Sequence, residues 1–285
     1  MRMSTRTSLH EFVVVSNELV AQETYRMVID APQLAARIVP GQFMNLSVPG
    51  DNSHILRIPL SFKRADALAG TVELIYAVVG EGTRRLSQMR VGDGSSAVGP
   101  SGAGWWLPRS EGRALLVAGG VGLPPILAAA GMLADARVGF DVVVGARTQA
   151  RLVYPDVDDV MRYGTPAAAG TGSAESYDPD RALVVTTDDG SAEGSPAAAR
   201  SAADGMADLM GGRAYAQVYT CGPAAMMCGV ARLARARGIA CQASLERMMG
   251  CGFGACSCCN VALVRGGNAL CCQDGPVFDA EEVVW

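Results

Sequence analysis

The chain has 285 residues, of which 49% are hydrophobic and 18% are charged. This length predicts more than one domain, and the apolar content excludes a disordered chain. Lys and Arg total 24 against 28 Asp and Glu, and because no basic patch stands out, nucleic-acid binding is not expected. The N-terminus has no apolar run of signal-peptide length, so we expect a cytoplasmic protein with reduced cysteines.

Residues 1–108 are predicted to form an antiparallel β-barrel. Short runs rich in Val, Ile, Leu and Thr alternate with turn residues such as Pro40-Gly41 and Ala69-Gly70, a spacing that is typical of small barrels. The predicted strands are Glu11–Asn17, Thr24–Ile29, Gln42–Val48, Leu56–Phe62 and Thr71–Val79.

Residues 109–240 change to an alternation of strands and Ala-rich helices, which predicts an α/β domain with a parallel sheet covered on both faces. One helix is predicted to begin with Ser195 as its N-cap and Pro196 in its first turn, and to end before Gly211. Residues 164–179 are predicted to be an insertion, to which we assign no function. The predicted strands are Ala114–Ala118, Asp141–Gly145, Leu183–Thr186 and Ala216–Thr220.

The stretch from Ala114 to Ala134 has 21 residues without a charge, which is long enough to span a bilayer. Its glycines and the pair Pro124-Pro125 would break a lipid-facing helix. The stretch is therefore predicted to be a strand, a tight turn and a helix, and the protein to have no membrane span.

That tight turn is a candidate nucleotide site. Glycines between a strand and a helix let a pyrophosphate approach the backbone at the positive end of the helix. A later strand ends at the same carboxyl edge, where α/β sheets bind their ligands. The alternative interpretation of Cys221, the cysteine in that second turn, is a small buried hydrophobic residue without a ligand role. The candidate residues of the two turns are Gly120, Gly122, Pro125, Cys221 and Gly222.

Residues 241–285 are too short and too rich in Gly and Cys to build a hydrophobic core, so we expect their fold to be stabilised by disulfides or a bound metal. Seven of the nine cysteines lie between Cys241 and Cys272. The spacing Cys251-x4-Cys256-x2-Cys259, followed by Cys271 or Cys272, is typical of a plant-type [2Fe–2S] site. A four-cysteine zinc site is the alternative, because Cys-x2-Cys occurs there as well.

The barrel carries a third motif. The run from Arg57 to Ser61 and the turn Gly80-Glu81-Gly82-Thr83 provide a cation, a hydroxyl and a glycine turn, which suit a dinucleotide. For Arg57, the alternative is a solvated surface side chain.

The order of these motifs along the chain resembles the ferredoxin–NADP reductase superfamily. The tail from Ser244 to Phe278, with its cysteine spacing and Asp274-Gly275-Pro276, resembles the electron-transfer subunits of NAD-dependent, heterotetrameric dihydroorotate dehydrogenases. The run from Thr187 to Ser191 also fits that family. The resemblance covers nearly the whole chain except residues 164–179.

The resemblance implies an FAD in the barrel and a [2Fe–2S] cluster in the tail. Ile58 stands where the family has an arginine that pairs with the flavin phosphate, and Arg57, whose side chain should point to the opposite face of the strand, is the candidate replacement. The fourth cluster ligand is Cys272, because the family's cysteine lies two residues before the Asp of Asp-Gly-Pro. The implied flavin contacts are Pro59, Leu60, Ser61, Leu74, Ile75, Tyr76, Gly82 and Thr83, and the implied cluster ligands are Cys251, Cys256, Cys259 and Cys272.

The function that the resemblance implies is an electron relay in pyrimidine biosynthesis. A partner subunit oxidises dihydroorotate on its own flavin, and electrons pass through the cluster and FAD of this chain to NAD⁺, whose nicotinamide Cys221 and Gly222 hold. A flavin and iron–sulfur subunit of a ferredoxin:NADP or sulfide-type oxidoreductase shares these motifs, and a zinc-stapled, non-enzymatic binding protein is a more distant alternative. NAD and NADP both stay open: Arg147, just past the second strand of the α/β domain, is a candidate contact for a 2′-phosphate, and the alternative is a solvated side chain.

Overall fold

The computed structural model of the chain describes residues 7–50, 55–153, 180–192 and 199–285. The predicted insertion at 164–179 and the predicted helix start at Ser195 and Pro196 lie outside these ranges. The chain divides into two compact units, and no helix in the described ranges has both the length and the apolar character that a membrane crossing requires. The first unit comprises residues 1–105, 244–278 and 282–284, and the second comprises 106–243, 279–281 and 285.

The N-terminal part of the first unit is an antiparallel half-barrel. Its seven strands have the order β4-β3-β7-β1-β2-β6-β5, and every neighbouring pair is antiparallel. Two short helices, α1 (Pro32–Ala35) and α2 (Glu81–Leu86), lie in its connections. The strands are β1 (Ser8–Ala21), β2 (Thr24–Asp30), β3 (Phe43–Leu46), β4 (Ile58–Ser61), β5 (Arg64–Asp66), β6 (Thr71–Ala77) and β7 (Gly94–Ser101).

The predicted barrel fold is confirmed, although two of its strands were not predicted. The sequence of β7, Gly-Ser-Ser-Ala-Val-Gly-Pro-Ser, has the composition of a turn. It is a strand because β1 and β3 pair with its two edges, so tertiary pairing outweighs its low intrinsic preference. The core side of the half-barrel is fully buried at Met27, Ile29, Val72 and Leu74.

The second unit contains the predicted parallel sheet. The six-stranded sheet has the order β10-β9-β8-β11-β12-β15, and β8 is parallel to both β9 and β11. All six residues of β8 are buried, as a strand covered on both faces requires. The strands are β8 (Ala114–Gly119), β9 (Phe140–Ala146), β10 (Leu183–Thr187), β11 (Gln217–Cys221), β12 (Ala240–Ser244) and β15 (Val277–Asp279).

Three longer helices connect these strands: α3 (Leu123–Asp135), α4 (Ala202–Gly212) and α5 (Ala224–Ala236). The predicted end of α4 is wrong, whereas its predicted start lies outside the described residues. Its N-cap is Ser201, whose Oγ accepts from the N–H of Asp204 while the Asp204 carboxylate accepts from the N–H of Ser201. The helix also includes Gly211 and Gly212, so these glycines do not stop it.

The cysteine-rich segment belongs to the first unit and has little regular structure. It contains one antiparallel hairpin, β13 (Asn260–Ala262) and β14 (Asn268–Leu270), in which Val261 pairs with Ala269. A backbone hydrogen bond joins the segment to the residues that follow β7: the N–H of Ala103 donates to the carbonyl of Gly275 at 2.5 Å.

Candidate functional site

The turn after β8 has the geometry that a nucleotide site needs. A single 3-10 turn over 120–122 joins β8 to α3, which begins with Leu123-Pro124-Pro125. At Gly120, φ is +52° and an added Cβ would meet no atom within 4 Å. Its backbone is therefore open to a ligand. Pro125 is buried in the first turn of α3, where a missing N–H costs nothing.

Gly122 has a different role from Gly120. A Cβ on Gly122 would lie 2.2 Å from the carbonyl oxygen of Cys221 and 2.6 Å from the nitrogen of Gly222. The turn after β8 therefore packs directly against the turn after β11. Gly222 itself has φ +155°, and Cys221 is 97% buried, with 3% exposure. The predicted glycines thus meet at the carboxyl edge of the sheet.

Three buried hydroxyls at this edge have no hydrogen-bond partner within the described residues. They belong to Thr148, Thr186 and Thr220, which lie at or just beyond the carboxyl ends of β9, β10 and β11. Buried polar groups are almost always paired, so these atoms fit a polar ligand at this edge. Thr148 and Thr186 were not predicted, because a single threonine near the end of a strand carries no spacing signal.

The loop after β10 completes the edge. The β9–β10 register places Thr187 beside Ala146, so Arg147 and Asp188 follow side by side, and both are exposed. Asp189 accepts from the N–H and hydroxyl of Ser191, at 3.0 and 2.6 Å, and these bonds lower its pKa. The edge therefore presents both charge signs where Arg147 alone was predicted.

In the half-barrel, β4 carries the predicted flavin motif Pro59-Leu60-Ser61. This strand lies at one end of the sheet order, so its outer edge has no partner strand in the described part of the chain. Its residues are half-exposed, and a proline is tolerated on such an edge. The strand is therefore free to contact a cofactor.

The structure gives Arg57 a different environment from the predicted one. Its Nη1 donates to the carbonyls of Ser96 (2.9 Å) and Asn45 (3.4 Å), and its Nη2 donates to Ser96 Oγ (3.1 Å). Burial lowers the pKa of Arg57. The guanidinium thus joins two neighbouring strands, β3 and β7, instead of extending from β4 toward a ligand.

We expect Arg57→Ala to keep its FAD affinity from low to high salt but to unfold more readily. The substitution removes the hydrogen bonds of the guanidinium to Ser96 and Asn45, although the Ser96 carbonyl still accepts from the N–H of Ser47, and this loss costs about 1–3 kcal/mol. Flavin fluorescence titrations at several salt concentrations and a urea unfolding curve measure the two effects. A salt-dependent loss of FAD with unchanged stability would instead assign Arg57 to the flavin phosphate.

The other predicted flavin residues also use their side chains within the fold. Leu74, Ile75 and Tyr76 are buried, and the Tyr76 hydroxyl donates to Asn17 Oδ1 at 3.0 Å. Thr83 Oγ1 accepts from the N–H groups of Val79 and Gly80 and donates to the Gly80 carbonyl. For these residues a cofactor contact would have to come from the backbone.

Two arginines beside Gly82 and Thr83 were not predicted as site residues. Arg84 and Arg85 both donate to the Glu81 carboxylate, with nitrogen–oxygen distances of 2.8–2.9 Å. Hydrogen bonds from Arg84 and then Arg85 lower the pKa of Glu81 to about 2. They add positive charge to the glycine turn. The two arginines that follow Gly-x-Gly-Thr in the sequence were the feature from which this charge could have been predicted.

The four cysteines predicted as cluster ligands form two pairs. Cys256 lies close to Cys251, and Cys272 lies close to Cys259, near enough for the thiols of each pair to interact. Backbone N–H groups also point at sulfur: that of Ala255 donates to Cys251 Sγ (3.2 Å) and that of Cys272 to Cys259 Sγ (3.4 Å). Across the described ranges, no three His, Cys, Asp or Glu side chains are gathered to hold one metal ion.

Two thiol pairs with N–H donors fit a [2Fe–2S] cluster, in which each of two irons takes two cysteines. Burial raises the pKa of Cys251, but hydrogen bonds from the N–H groups of Phe253 and Cys256 outweigh it and lower the value to about 7. A ligand thiol with a lowered pKa reaches the thiolate form that iron requires more readily.

Cys271 has the properties of a bystander. Its thiol is fully buried and donates to the carbonyl of Leu245 at 3.3 Å. Its side chain therefore points toward Leu245, whereas that of Cys272 points toward Cys259. Cys258, the other cysteine in the loop, is exposed.

Together, an antiparallel half-barrel, a parallel α/β sheet and a cysteine-bearing segment define a flavin-dependent reductase of the ferredoxin–NADP reductase class with an added iron–sulfur region. A solved structure of an NADH-dependent reduced ferredoxin-NADP oxidoreductase has a TM-score of 0.77 to this chain at 27% identity, covering 96% of this chain and 90% of that one. A cytochrome P450 reductase from Amycolatopsis shares the fold, with a TM-score of 0.61 at 22% identity, over 83% of this chain and 68% of its own.

Residues 246–284 match the iron–sulfur cluster binding domain of dihydroorotate dehydrogenase B. The dihydroorotate dehydrogenase B (NAD(+)) electron transfer subunit of Desulforamulus reducens is 32% identical over 275 residues, covering 95% of this chain and 97% of its own. That of Geobacillus thermodenitrificans is 34% identical over 278 residues, covering 95% and 96%. The chain belongs to the family of dihydroorotate dehydrogenase B electron transfer subunits.

Proposed function

We propose that this chain carries electrons from a dihydroorotate-oxidising flavoprotein to NAD⁺, within a heterotetramer, through a [2Fe–2S] cluster and an FAD that it holds itself. The observation that carries the proposal is that Cys256 lies close to Cys251 and Cys272 close to Cys259, with backbone N–H groups donating to the sulfurs of Cys251 and Cys259. The names of the curated relatives, NAD(+)-dependent electron transfer subunits, support the acceptor and the partner. This function belongs to pyrimidine biosynthesis.

The need for two cofactors follows from electron counting. When bound, FAD exchanges two electrons with a nicotinamide, whereas a [2Fe–2S] cluster passes them one at a time. A chain that holds both converts between the two modes. Dihydroorotate itself is oxidised on the partner, so no residue of this chain has to touch it.

For the cofactors, we propose that the cysteine pairs bind the irons and that the half-barrel binds FAD. The exposed edge of β4 from Pro59 to Ser61 would contact the flavin, and the backbone at Gly82-Thr83 would bind its phosphates. In this division the hydroxyls of Thr83 and Tyr76 keep their hydrogen bonds within the fold.

For the nucleotide, we propose that Gly120 lets the pyrophosphate approach the turn after β8 and that Thr220 and Cys221 contact the nicotinamide. The open backbone at Gly120 and the unpartnered hydroxyl of Thr220 support this. We propose NAD in preference to NADP. The exposed carboxylate of Asp188 next to Arg147 would repel a 2′-phosphate, which Arg147 alone would attract.

A second candidate function has one specific observation in its favour. The chain is similar over 96% of its length to an NADH-dependent reduced ferredoxin-NADP oxidoreductase chain. A subunit of such an enzyme would take electrons from ferredoxin instead of a dihydroorotate-oxidising flavoprotein. The two functions therefore differ in the partner and not in the cofactors.

The test is to purify the chain without oxygen, record its visible spectrum, and quantify iron, sulfide and flavin. We expect the absorbance of one FAD and one [2Fe–2S] cluster, and NADH should reduce both. Adding a dihydroorotate-oxidising flavoprotein subunit should then give dihydroorotate-dependent reduction of NAD⁺. A colourless, zinc-containing protein would overturn the proposal, and turnover with reduced ferredoxin alone would favour the second candidate.

We further propose that the loop around the cluster docks on the partner flavoprotein. The pair Cys251 and Cys256 lies toward solvent, whereas Cys259 and Cys272 are buried. Beside the outer pair, Met248 is 80% and Phe253 is 50% exposed. Met249 is buried at 8% exposure and belongs to the core, so it does not contribute to this surface.

We expect Phe253→Glu to weaken dihydroorotate-dependent NAD⁺ reduction by about 30-fold at limiting partner, because a central aromatic contact contributes about 2 kcal/mol to binding. NADH-dependent dye reduction by the isolated chain should not change. Val264→Glu is the matched control, since Val264 is 66% exposed in the β13–β14 connection. Equal losses in both variants, measured against partner concentration, would argue against a docking surface at Phe253.

We propose that the chain works in the cytoplasm. All nine cysteines are free thiols, and cluster assembly needs thiols that a reducing compartment preserves.

A further inference from the structure

Gly252, which follows the candidate ligand Cys251, rests directly against one buried side chain of the half-barrel. Its φ is +76°, and a Cβ added there would lie 2.4 Å from Asn45 Nδ2 and 2.6 Å from Asn45 Cγ. The backbone of the cysteine loop thus comes as close to the Asn45 amide as a residue without a side chain permits. Distances this short show that no side chain fits between Gly252 and Asn45, so the loop cannot move closer to the half-barrel.

Asn45 is fixed from the other side by the strands around it. It is 2% exposed in the middle of β3, and the register pairs it with Pro59 of β4, the strand that carries the proposed flavin contacts. Its Nδ2 is 3.5 Å from the carbonyl of Val98 on β7, which is a long hydrogen bond. One residue therefore contacts the loop of Cys251 and is the direct neighbour of the flavin strand.

We propose that Asn45 is a positioning residue for electron transfer: its amide seats the Cys251–Gly252 loop on the strand that pairs with β4. The proposal rests on the proposed function, since it assigns a cluster to Cys251 and a flavin to β4. Within that function, Asn45 fixes the cluster relative to the flavin contacts and presents an uncharged N–H dipole to the loop. It contacts neither substrate nor nucleotide.

Two physical effects follow from this placement. The reduction potential of an iron–sulfur cluster depends on nearby charge and on hydrogen bonds to its sulfurs. Groups behind the ligands also set where the ligands lie, and their replacement changes metal affinity or activity about 10- to 100-fold. Asn45 is placed to exert both effects, because it is buried and lies behind a ligand loop.

The first test changes charge without changing size. Asn45→Asp should lower the midpoint potential of the cluster once the new carboxyl is ionised; because burial raises the pKa of that carboxyl, the redox titration, followed by electron paramagnetic resonance, is run at several pH values up to about 9. Gln33→Glu, the same charge change at an exposed position of α1, should leave the potential unchanged. Iron and flavin content report whether each variant is loaded. An unchanged potential in loaded Asn45→Asp would overturn the electrostatic part of the proposal.

The second test changes size on both sides of the contact. Gly252→Ala should slow electron transfer from the flavin to the cluster about 10- to 100-fold, because its methyl group pushes the loop off Asn45. The rate is measured by rapidly mixing each variant with NADH. Adding Asn45→Ala should restore part of the rate, since it removes the atoms that the methyl group meets. Gly254→Ala has the same backbone strain, with φ +90°, but meets the exposed Gln273 side chain, so Asn45→Ala should not rescue it.

The outcomes separate this inference from the proposed function. If the wild-type chain holds no cluster or no flavin, the proposed function fails. If it holds both, and Asn45→Ala rescues Gly252→Ala no better than Gly254→Ala, only the role of Asn45 is wrong. Should the alanine variants lose iron, the potential of Asn45→Asp still decides, because that substitution preserves the size of the side chain.

Discussion

Cys272→Ser should lose the iron–sulfur cluster and abolish dihydroorotate-dependent reduction of NAD⁺. Serine keeps the size of the side chain but supplies an alkoxide-forming hydroxyl where iron needs a thiolate. The remaining thiol of this pair, Cys259, is buried at 2% exposure, so no solvent ligand easily replaces Cys272. Iron content, visible absorbance and coupled turnover with the partner flavoprotein measure the loss. NADH-dependent reduction of a two-electron dye by the same sample shows whether the rest of the chain is folded.

Cys271→Ser is the matched control one residue away. The Cys271 thiol donates to Leu245 instead of pointing at a sulfur, and a hydroxyl preserves that donor. We therefore expect a full cluster with a small loss of stability. If Cys271→Ser loses the cluster while Cys272→Ser keeps it, the ligand assignment moves by one residue. If neither change affects coupled turnover, electrons do not pass through this site.

The cysteine set illustrates what sequence can predict well. Its spacing of four and two residues restricts the backbone to a tight loop, and the family resemblance, through the separation from Asp274, implies one of the two adjacent cysteines. In the structure the N–H of Cys272 donates to Cys259 Sγ and the Cys271 thiol donates to the Leu245 carbonyl, and the choice of Cys272 stays a prediction. Local spacing was informative here because the chemistry lies within one short segment.

The half-barrel shows where sequence stops being informative. Arg57 was an attractive substitute for the arginine missing at position 58, yet its guanidinium donates to Ser96, which is 39 residues away in sequence. Thr83 likewise uses its hydroxyl to close its own turn. Spacing identifies residue types near a site, but which partner a side chain takes depends on long-range strand pairing.

The two glycines of the nucleotide turn were predicted to act alike, as points where a ligand approaches. In the structure they differ. An added Cβ meets nothing within 4 Å at Gly120, whereas at Gly122 it would lie 2.2 Å from the Cys221 carbonyl oxygen. Sequence shows only that both positions are glycine, because the atoms that exclude a side chain at Gly122 come from a strand about 100 residues later.

Gly122→Ala should therefore destabilise the second unit and weaken NADH binding together. Backbone atoms of Cys221 cannot give way as a flexible side chain would, so we expect a cost of about 3 kcal/mol in the free energy of unfolding. Gly120→Ala should cost only about 1 kcal/mol, from its positive φ, while its methyl group enters the space proposed for the pyrophosphate and lowers NADH affinity.

Gly211→Ala, in α4 with no atom within 4 Å of its added Cβ, should leave NADH affinity unchanged and stabilise the helix slightly. Urea unfolding and NADH titration of the three variants test this separation. If Gly122→Ala unfolds like the wild type yet loses NADH, Gly122 is a ligand contact after all.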